Sequence, residues 1–156
     1  MSRVTDPSLE HDDLRRATHE AGHIVVAFTL GWPVASATID RDPAYPTLLG
    51  HVRYAQQLTR YSELRAWGAT FLGGREAERQ LLGSYGIGSL EDERVVAQQI
   101  EAAYQDERTR RSIAQQILRL ATATIAKRHS QVIAVRDALI RSRTLNAEEL
   151  AALLRH

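Results

Sequence analysis

The chain has 156 residues, the size of one domain that buries about two-thirds of the surface its unfolded form exposes. Its hydrophobic fraction of 44% and charged fraction of 25% are ordinary for a globular protein, and a net charge of +1 gives no general attraction to nucleic acid. The absence of cysteine excludes disulfides, thiolate metal sites and cysteine nucleophiles. There is no apolar run of about 18 residues and the polar N-terminus does not look like a signal peptide, so we expect a cytoplasmic protein without a membrane segment.

The first predicted helix covers residues 13–30 and follows an N-terminal segment, residues 1–12, that we expect to be flexible. Apolar residues recur in this stretch at the spacing of an amphipathic helix. Gly31 fits its C-terminal cap, and Pro33 cannot continue it.

This helix contains the sequence His-Glu-Ala-Gly-His at residues 19–23. Residues four apart share a helix face, so His19 and His23 can bind one metal ion through their imidazoles. Glu20 lies one residue round the helix, where it can act as general base on a water activated by the metal. This is the H-E-x-x-H pattern of zinc peptidases. Gly22 is costly inside a helix and therefore indicates that another backbone approaches closely there.

After this helix, residues 34–40 alternate apolar and polar with a β-branched bias, which predicts a short strand. Residues 42–46 have turn chemistry, and residues 48–54 are the predicted return strand. A two-stranded sheet is not stable alone, so we expect it to pack on helices.

The rest of the chain is predicted to be helical. The second helix covers residues 61–82 and is interrupted at Gly73-Gly74, and residues 83–88 form a flexible loop. Further helices are expected at 89–106, 110–128, 130–141 and 147–155, with Ser130 and Asn146 as N-caps and Glu149 completing a capping box. The prediction is a mainly α domain over residues 13–156 with a small two-stranded β element.

Catalytic zinc usually takes three protein ligands and leaves a position for water, so a third ligand is needed. Val26 and Thr29 occupy the positions where a metzincin has Gly and His, which rejects that class. The residue types that remain open are carboxylates and one histidine further along the chain: Glu63, Glu76, Glu78, Asp92 and His51.

Three ordered motifs carry a resemblance to a known family. The pentapeptide at 19–23, the stretch Phe-Leu-Gly-Gly-Arg-Glu-Ala-Glu at 71–78 and the loop Gly-Ile-Gly-Ser-Leu-Glu-Asp at 86–92 resemble the peptidase domain of FtsH-type ATP-dependent zinc proteases. The closing stretch at 145–150 is similar as well. The likeness covers nearly all of the chain from Leu14 onward and implies a zincin-like helical peptidase fold.

The resemblance implies that Asp92 is the third zinc ligand. We expect Glu76 and Glu78 to be carboxylates on the helix surface or beside the ligands, with Arg75 as their partner. The residues alone leave another interpretation of Asp92 open, because Ser89 and Asp92 have the spacing of a capping box at a helix start.

The sequence also departs from the family. FtsH-type proteins carry transmembrane segments and an ATPase module before the peptidase domain, and we find neither here. No G-x-x-x-x-G-K-[ST] phosphate loop occurs, so we expect no ATP binding. The segment from 103 to 110 is shorter than its counterpart in the family, which affects the expected cleft shape and hexamer formation.

The motif and the resemblance together predict a zinc metalloendopeptidase that hydrolyses unfolded or flexible polypeptides. Zn²⁺ would be held by His19, His23 and Asp92, with Glu20 as general base. We expect the substrate to lie along the edge of the 34–54 sheet, and folded substrates to require a separate ATPase. A homo-oligomer is compatible with the sequence.

The alternative is a catalytically silent zinc-binding interaction module of the same fold. The intact Glu20 argues against it, because a structural zinc site does not need a general base. A third interpretation comes from residues 108–143, which hold nine basic residues against one acid. We expect this stretch to be a solvated helical face and not a nucleic-acid site.

Overall fold

The computed structural model describes residues 7–40, 51–54 and 63–155, most of them helical. The elements in chain order are α1 (Pro7–Thr29), β1 (Val34–Thr38), β2 (His51–Tyr54), α2 (Leu64–Leu82), α3 (Ile87–Ala103), α4 (Glu107–Lys127), α5 (His129–Ser142), β3 (Thr144–Asn146) and α6 (Ala147–Leu154). The predicted mainly helical fold with a small β element is confirmed. Among the described helices, none is long and apolar enough to cross a membrane.

Within the described residues the sheet has three antiparallel strands in the order β2-β1-β3, so the prediction of two strands is wrong. Thr38 on β1 pairs with His51 on β2 and with Thr144 on β3. The sequence missed β3 because three residues with one buried apolar side chain, Leu145, are too short to display alternation. The predicted turn at 42–46 and residues 48–50 of the predicted return strand lie outside the described residues.

Helix α1 begins at Pro7, six residues before the predicted start, so residues 7–12 of the expected flexible segment are helical, and residues 1–6 lie outside the described part. It ends at Thr29, one residue before the predicted end, and Gly31 caps it as predicted. Gly31 has a φ of +84°. The N–H of Gly31 bonds to the oxygen of Phe28 at 3.2 Å and that of Trp32 to the oxygen of Ala27 at 2.8 Å. These two bonds form a Schellman motif, which satisfies carbonyls left free at the helix end.

The bounds of α3 to α6 differ from the prediction by at most three residues at either end. Helix α4 begins three residues early because the Asp106 side chain accepts from the Thr109 N–H at 2.9 Å and caps it. Ser130 is not an N-cap, since α5 already includes the residue before it. Asn146 caps α6 as predicted, with Glu149 completing the capping box.

Helix α1 lies at the centre of the fold and packs on α2, α4, α5 and the sheet. Its crossing with α2 is unusually close. A Cβ atom on Gly22 would lie 2.2 Å from the Gly73 oxygen, and one on Gly74 would lie 2.7 Å from Cε1 of His19. Helix α2 therefore runs through Gly73-Gly74 without the predicted interruption, and these glycines bring the histidine face of α1 against α2.

The core is built from aliphatic side chains on these central helices and on the inner face of the sheet. Its largest fully buried apolar members are Ile24, Val25, Val26, Ile39, Ile117, Ile125, Val132, Val135, Leu139 and, on α6, Leu150. This packing fixes α1 firmly, so its polar face is presented in one orientation.

Candidate metal centre

His19 and His23 meet on one face of α1, as their spacing predicts. Their Nε2 atoms are 2.9 Å apart and their rings are edge to face with centroids 4.5 Å apart. His23 is buried, and the His19 side chain is largely so. The two nitrogens therefore converge in a site shielded from bulk solvent.

Asp92 joins them from α3. Its Oδ2 atom lies 3.0 Å from His19 Nε2 and 3.2 Å from His23 Nε2. The possible ligand atoms of the three residues all lie within 4.8 Å of one another. Within the described residues, the other open candidates, Glu63, Glu76, Glu78 and His51, are not members of this group.

Hydrogen bonds on the far side of each ring determine which nitrogen carries the proton. His23 Nδ1 lies 2.7 Å from the Thr70 carbonyl oxygen, which can only accept, so Nδ1 is the donor. His19 Nδ1 lies 2.7 Å from Glu78 Oε1, a carboxylate oxygen. In the neutral form of each ring, Nε2 then carries a lone pair directed toward Asp92.

With both rings neutral, the cluster therefore brings together three electron-pair donors with no proton between them. Asp92 Oδ2 is buried and accepts no hydrogen bond of acceptable geometry, although two nitrogens are close. Such an arrangement is repulsive unless a positive charge lies at its centre. Two imidazole nitrogens and a carboxylate oxygen suit Zn²⁺, whose ligand atoms lie roughly 3.3 Å apart in a tetrahedron with bonds of about 2.0–2.1 Å. The side chains present thus fit a zinc ion.

The pKa values of His19 and Asp92 also indicate that the cluster favours a positive charge. Burial disfavours the imidazolium of His19, but the Asp92 and Glu78 carboxylates outweigh it and raise the pKa of His19 to about 10. Burial also disfavours the Asp92 carboxylate, but the two imidazoles beside it lower the pKa of Asp92 to about 2. The cluster favours a positive charge at its centre, which a proton or a metal ion can supply.

Glu20 lies beside the cluster and is buried. Burial raises its pKa, and the nearby His23 and His19 oppose the shift without cancelling it. A raised pKa makes a carboxylate a stronger base, which is what proton transfer from water requires. The location fits the general base that the sequence predicts.

Glu78 lies beside His19 Nδ1, on the side of the ring away from Asp92. The sequence predicted this location as one of two possibilities but not its hydrogen-bond partners. Glu78 is buried and accepts four hydrogen bonds: from His19 Nδ1 at 2.7 Å, Arg15 Nη1 at 2.5 Å, Ser89 Oγ at 2.9 Å and the Gly86 N–H at 3.0 Å. It therefore lies beside the ligands and orients one of them. Its cationic partner is Arg15, which the sequence did not single out.

Arg75 pairs with Glu76 and not with Glu78, so the prediction holds for one of the two carboxylates. Glu76 is fully buried and accepts from Arg75, from Arg79 Nη2 at 2.8 Å and from Thr122 Oγ1 at 3.1 Å. Arg75 also donates to Glu93 on α3. This network joins α2, α3 and α4 and contains no member of the His–His–Asp cluster.

The capping-box interpretation of Ser89 and Asp92 is wrong. Helix α3 begins at Ile87 with Gly86 as its N-cap, two residues before the predicted start. Ser89 is buried inside the first turn, and its hydroxyl donates to Glu78. Asp92 falls in the second turn, where its carboxylate faces the histidines.

The sequence missed the aromatic surroundings of the site. Burial raises the pKa of Tyr54 on β2, and the charges of Glu20 and Asp92 add to the shift, so this phenol stays protonated within electrostatic reach of both carboxylates. Phe71 lies 6.5 Å from the His23 ring, centroid to centroid, and 4.5 Å from Trp67. A single tyrosine on a short strand gives no signal that would mark it in advance.

A scan against models of known protein families finds no match, and a search of curated proteins finds no significant relative. The resemblance to FtsH-type peptidases therefore remains a prediction from the motifs.

Proposed function

We propose that this protein is a zinc-dependent endopeptidase that cleaves unfolded or flexible polypeptides. The observation that carries the proposal is the convergence of His19 Nε2, His23 Nε2 and Asp92 Oδ2 within 3.2 Å of one another, beside the buried carboxyl group of Glu20. A structural zinc site would have four protein ligands and no use for such a base, whereas three ligands leave a position open for chemistry.

Zinc, when bound by this donor set, supplies a Lewis acid that lowers the pKa of water toward about 7 and polarises the scissile carbonyl. Glu20 takes a proton from the attacking water on one of its carboxylate oxygens and delivers it to the leaving amine. Glu78 and the Thr70 carbonyl keep the Nδ1 protons on His19 and His23, so that both Nε2 atoms remain available as ligands.

The sheet supports an extended polypeptide as the substrate. In the described sheet β2 is an outer strand, and its last residue, Tyr54, lies within electrostatic reach of Glu20. A peptide that pairs with an outer strand is held through its backbone, which suits a protease of broad sequence range. A folded substrate would first need unfolding, for which we propose a separate ATPase.

The test is hydrolysis of an unfolded protein such as casein by wild type and by Glu20→Gln, each with its zinc content measured. We expect Glu20→Gln to retain zinc and lose activity by at least about 100-fold, the contribution usual for a general base. Glu91→Gln is the matched control, since Glu91 is exposed on α3 next to Asp92 and pairs with Arg94. Undiminished cleavage by Glu20→Gln with zinc bound would refute the proposal.

The same assay separates the alternative function. Wild type that binds zinc and cleaves nothing, with or without a chelator, would indicate a zinc-binding interaction module.

A further inference from the structure

Arg15 lies one helical turn before His19, and its guanidinium connects α1 to two other parts of the metal centre. Nη1 donates to Glu78 Oε2 on α2 at 2.5 Å and to the Ser84 carbonyl at 3.2 Å. Nη2 donates to Ser84 Oγ at 3.0 Å. One side chain from α1 therefore ties α2 to the segment that leads into α3.

The bond from Arg15 to Glu78 acts on His19 through the Glu78 carboxylate. Glu78 divides its oxygens: Oε2 accepts from Arg15 and the Gly86 N–H, while Oε1 accepts from His19 Nδ1 and Ser89 Oγ. Because a carboxylate is planar, fixing one oxygen fixes the direction of the other. Arg15 and the Gly86 N–H, which share Oε2, therefore both act on the carboxylate that holds the His19 ring.

The bonds from Arg15 to Ser84 affect the position of Asp92 through the start of α3. Ser84 lies two residues before Gly86, the N-cap of the helix that carries Asp92. The buried residues of this helix are Ser89, Val96 and Ile100, so its apolar anchoring is slight. Polar contacts therefore contribute to its placement: those of Arg15 before its first residue, and that of Arg75 to Glu93 further along.

We propose that Arg15 is a positioning residue of the metal centre. Its forked guanidinium holds Glu78 and the 83–86 segment so that His19 Nε2 and Asp92 Oδ2 meet at one point. The inference rests on the proposed metal-dependent function and deepens it. The positive charge of Arg15 repels a metal ion, but its side chain is 27% exposed and solvent screens this repulsion. The gain from orienting the ligands therefore outweighs the repulsion. Lysine cannot replace Arg15 fully, since one ammonium does not reproduce the fork.

The experiment measures the zinc affinity of the full chain by competition with a chromophoric chelator. Arg15→Met is expected to bind zinc about tenfold more weakly than wild type, and Arg15→Lys to recover part of that loss. The matched control is Arg79→Met. Arg79 also donates to a buried glutamate on α2, but its acceptor, Glu76, touches no cluster member. The control is expected to stay within about twofold of wild type.

A second measurement reports on ligand geometry directly. The ligand-field absorption of the cobalt(II)-loaded protein is expected to change in Arg15→Met and to remain that of wild type in Arg79→Met. A role confined to stability would leave this spectrum unchanged.

Three results would overturn the inference: Arg15→Met within about twofold of wild type, an equal loss in Arg79→Met, or full recovery in Arg15→Lys, which would indicate charge and not the fork. If Arg15→Met does not fold, the comparison of Arg15→Lys with Arg79→Met decides, and equal affinities refute the inference.

Wild type that binds no zinc would remove the proposed function and this inference together. Wild type that binds zinc without cleaving peptides would remove only the proposed function, because the readout is metal binding.

Discussion

Gly22 on α1 and Gly73 on α2 touch backbone to backbone, with room for no side chain between them. A Cβ atom on Gly73 would lie 2.7 Å from the Gly22 oxygen and 2.9 Å from a methyl group of Val26. The contact sets the distance between the helix that carries both histidines and the helix that carries Thr70 and Glu78, the acceptors for their Nδ1 protons. Fold and site therefore depend on the same pair of glycines.

We predict that Gly73→Ala destabilises the protein by about 1–3 kcal/mol or more, because its methyl group would push against backbone that cannot move aside alone. Urea unfolding of the zinc-free protein measures the change. Gly88→Ala is the control, since its Cβ would make only an ordinary contact, 3.9 Å from the His19 ring. Replacing a helical glycine by alanine there should be neutral or stabilise by up to about 1 kcal/mol. Equal stabilities for the two variants would contradict the close-contact argument.

Glu78 and Glu76 are both buried on α2, but we predict that replacing Glu78 lowers zinc affinity whereas replacing Glu76 lowers stability. Glu78→Gln weakens the acceptor for His19 Nδ1–H, and we predict a loss of about 10–100-fold in zinc affinity. Glu76→Gln disrupts the ion pairs with Arg75 and Arg79, and we predict a loss of about 1–3 kcal/mol in unfolding free energy with little change in zinc affinity. Chelator competition and urea unfolding of both variants check the contrast. The prediction is contradicted if Glu76→Gln, and not Glu78→Gln, is the variant that loses zinc affinity.

Zinc binding should strengthen with rising pH. The pKa of His19 in the ion-free cluster is about 10, so near neutral pH this site holds a proton that a metal ion must displace. We predict that zinc affinity rises by up to about tenfold per pH unit between pH 7 and 9. Chelator competition at several pH values, corrected for protonation of the chelator, measures the slope. An affinity independent of pH would indicate that His19 carries no proton there.

The same pKa makes a prediction about the ion-free protein. Because the folded-state pKa lies above the unfolded value of 6.5, the protonated His19 contributes stability that is full below pH 6.5 and is lost as the pH rises to about 10. The ion-free protein should therefore lose unfolding free energy across this window, by up to about 1.4 kcal/mol per pH unit. The zinc-loaded protein should not show this loss. Urea unfolding with and without zinc at pH 7, 8 and 9 compares them.

The parts of the site that follow from local geometry could be read from the sequence. Two histidines four residues apart on a helix must share a face, and Gly22 inside that helix correctly indicated a close backbone approach. Asp92 is 69 residues beyond His23, and spacing alone could not choose it from five candidates. Only the resemblance singled it out, and the structure brings it to the histidines.

The features that the sequence missed depend on tertiary contacts. Arg15 looks like any other arginine on an amphipathic helix until α2 and the 83–86 segment fold against it. Strand β3 has too few residues for its alternation to show, and it forms because β1 offers it a free edge. Gly73-Gly74 predicted a helix break, but tight packing against α1 outweighs the intrinsic cost of glycine in a helix.

Arg143 offers a test of backbone strain away from the metal. It joins α5 to β3 with a φ of +62°, and its side chain pairs with Asp13 at 2.8 Å and also with Asp40. Both pairs are partly exposed and contribute about 0–1 kcal/mol, whereas a positive φ costs a residue other than glycine about 1–3 kcal/mol. We therefore predict that Arg143→Gly is close to wild type in stability, since relief of strain offsets the lost ion pairs.

Arg143→Ala separates the two effects, because it loses the ion pairs and keeps the strain. It should be less stable than Arg143→Gly by about 1 kcal/mol or more, measured by urea unfolding at neutral pH. The Arg143 carbonyl accepts from the Ile39 N–H at 2.9 Å, and both variants keep that bond, so the comparison isolates the backbone. An alanine variant as stable as the glycine variant would mean that the surrounding contacts, and not the residue type, determine the energy of this turn.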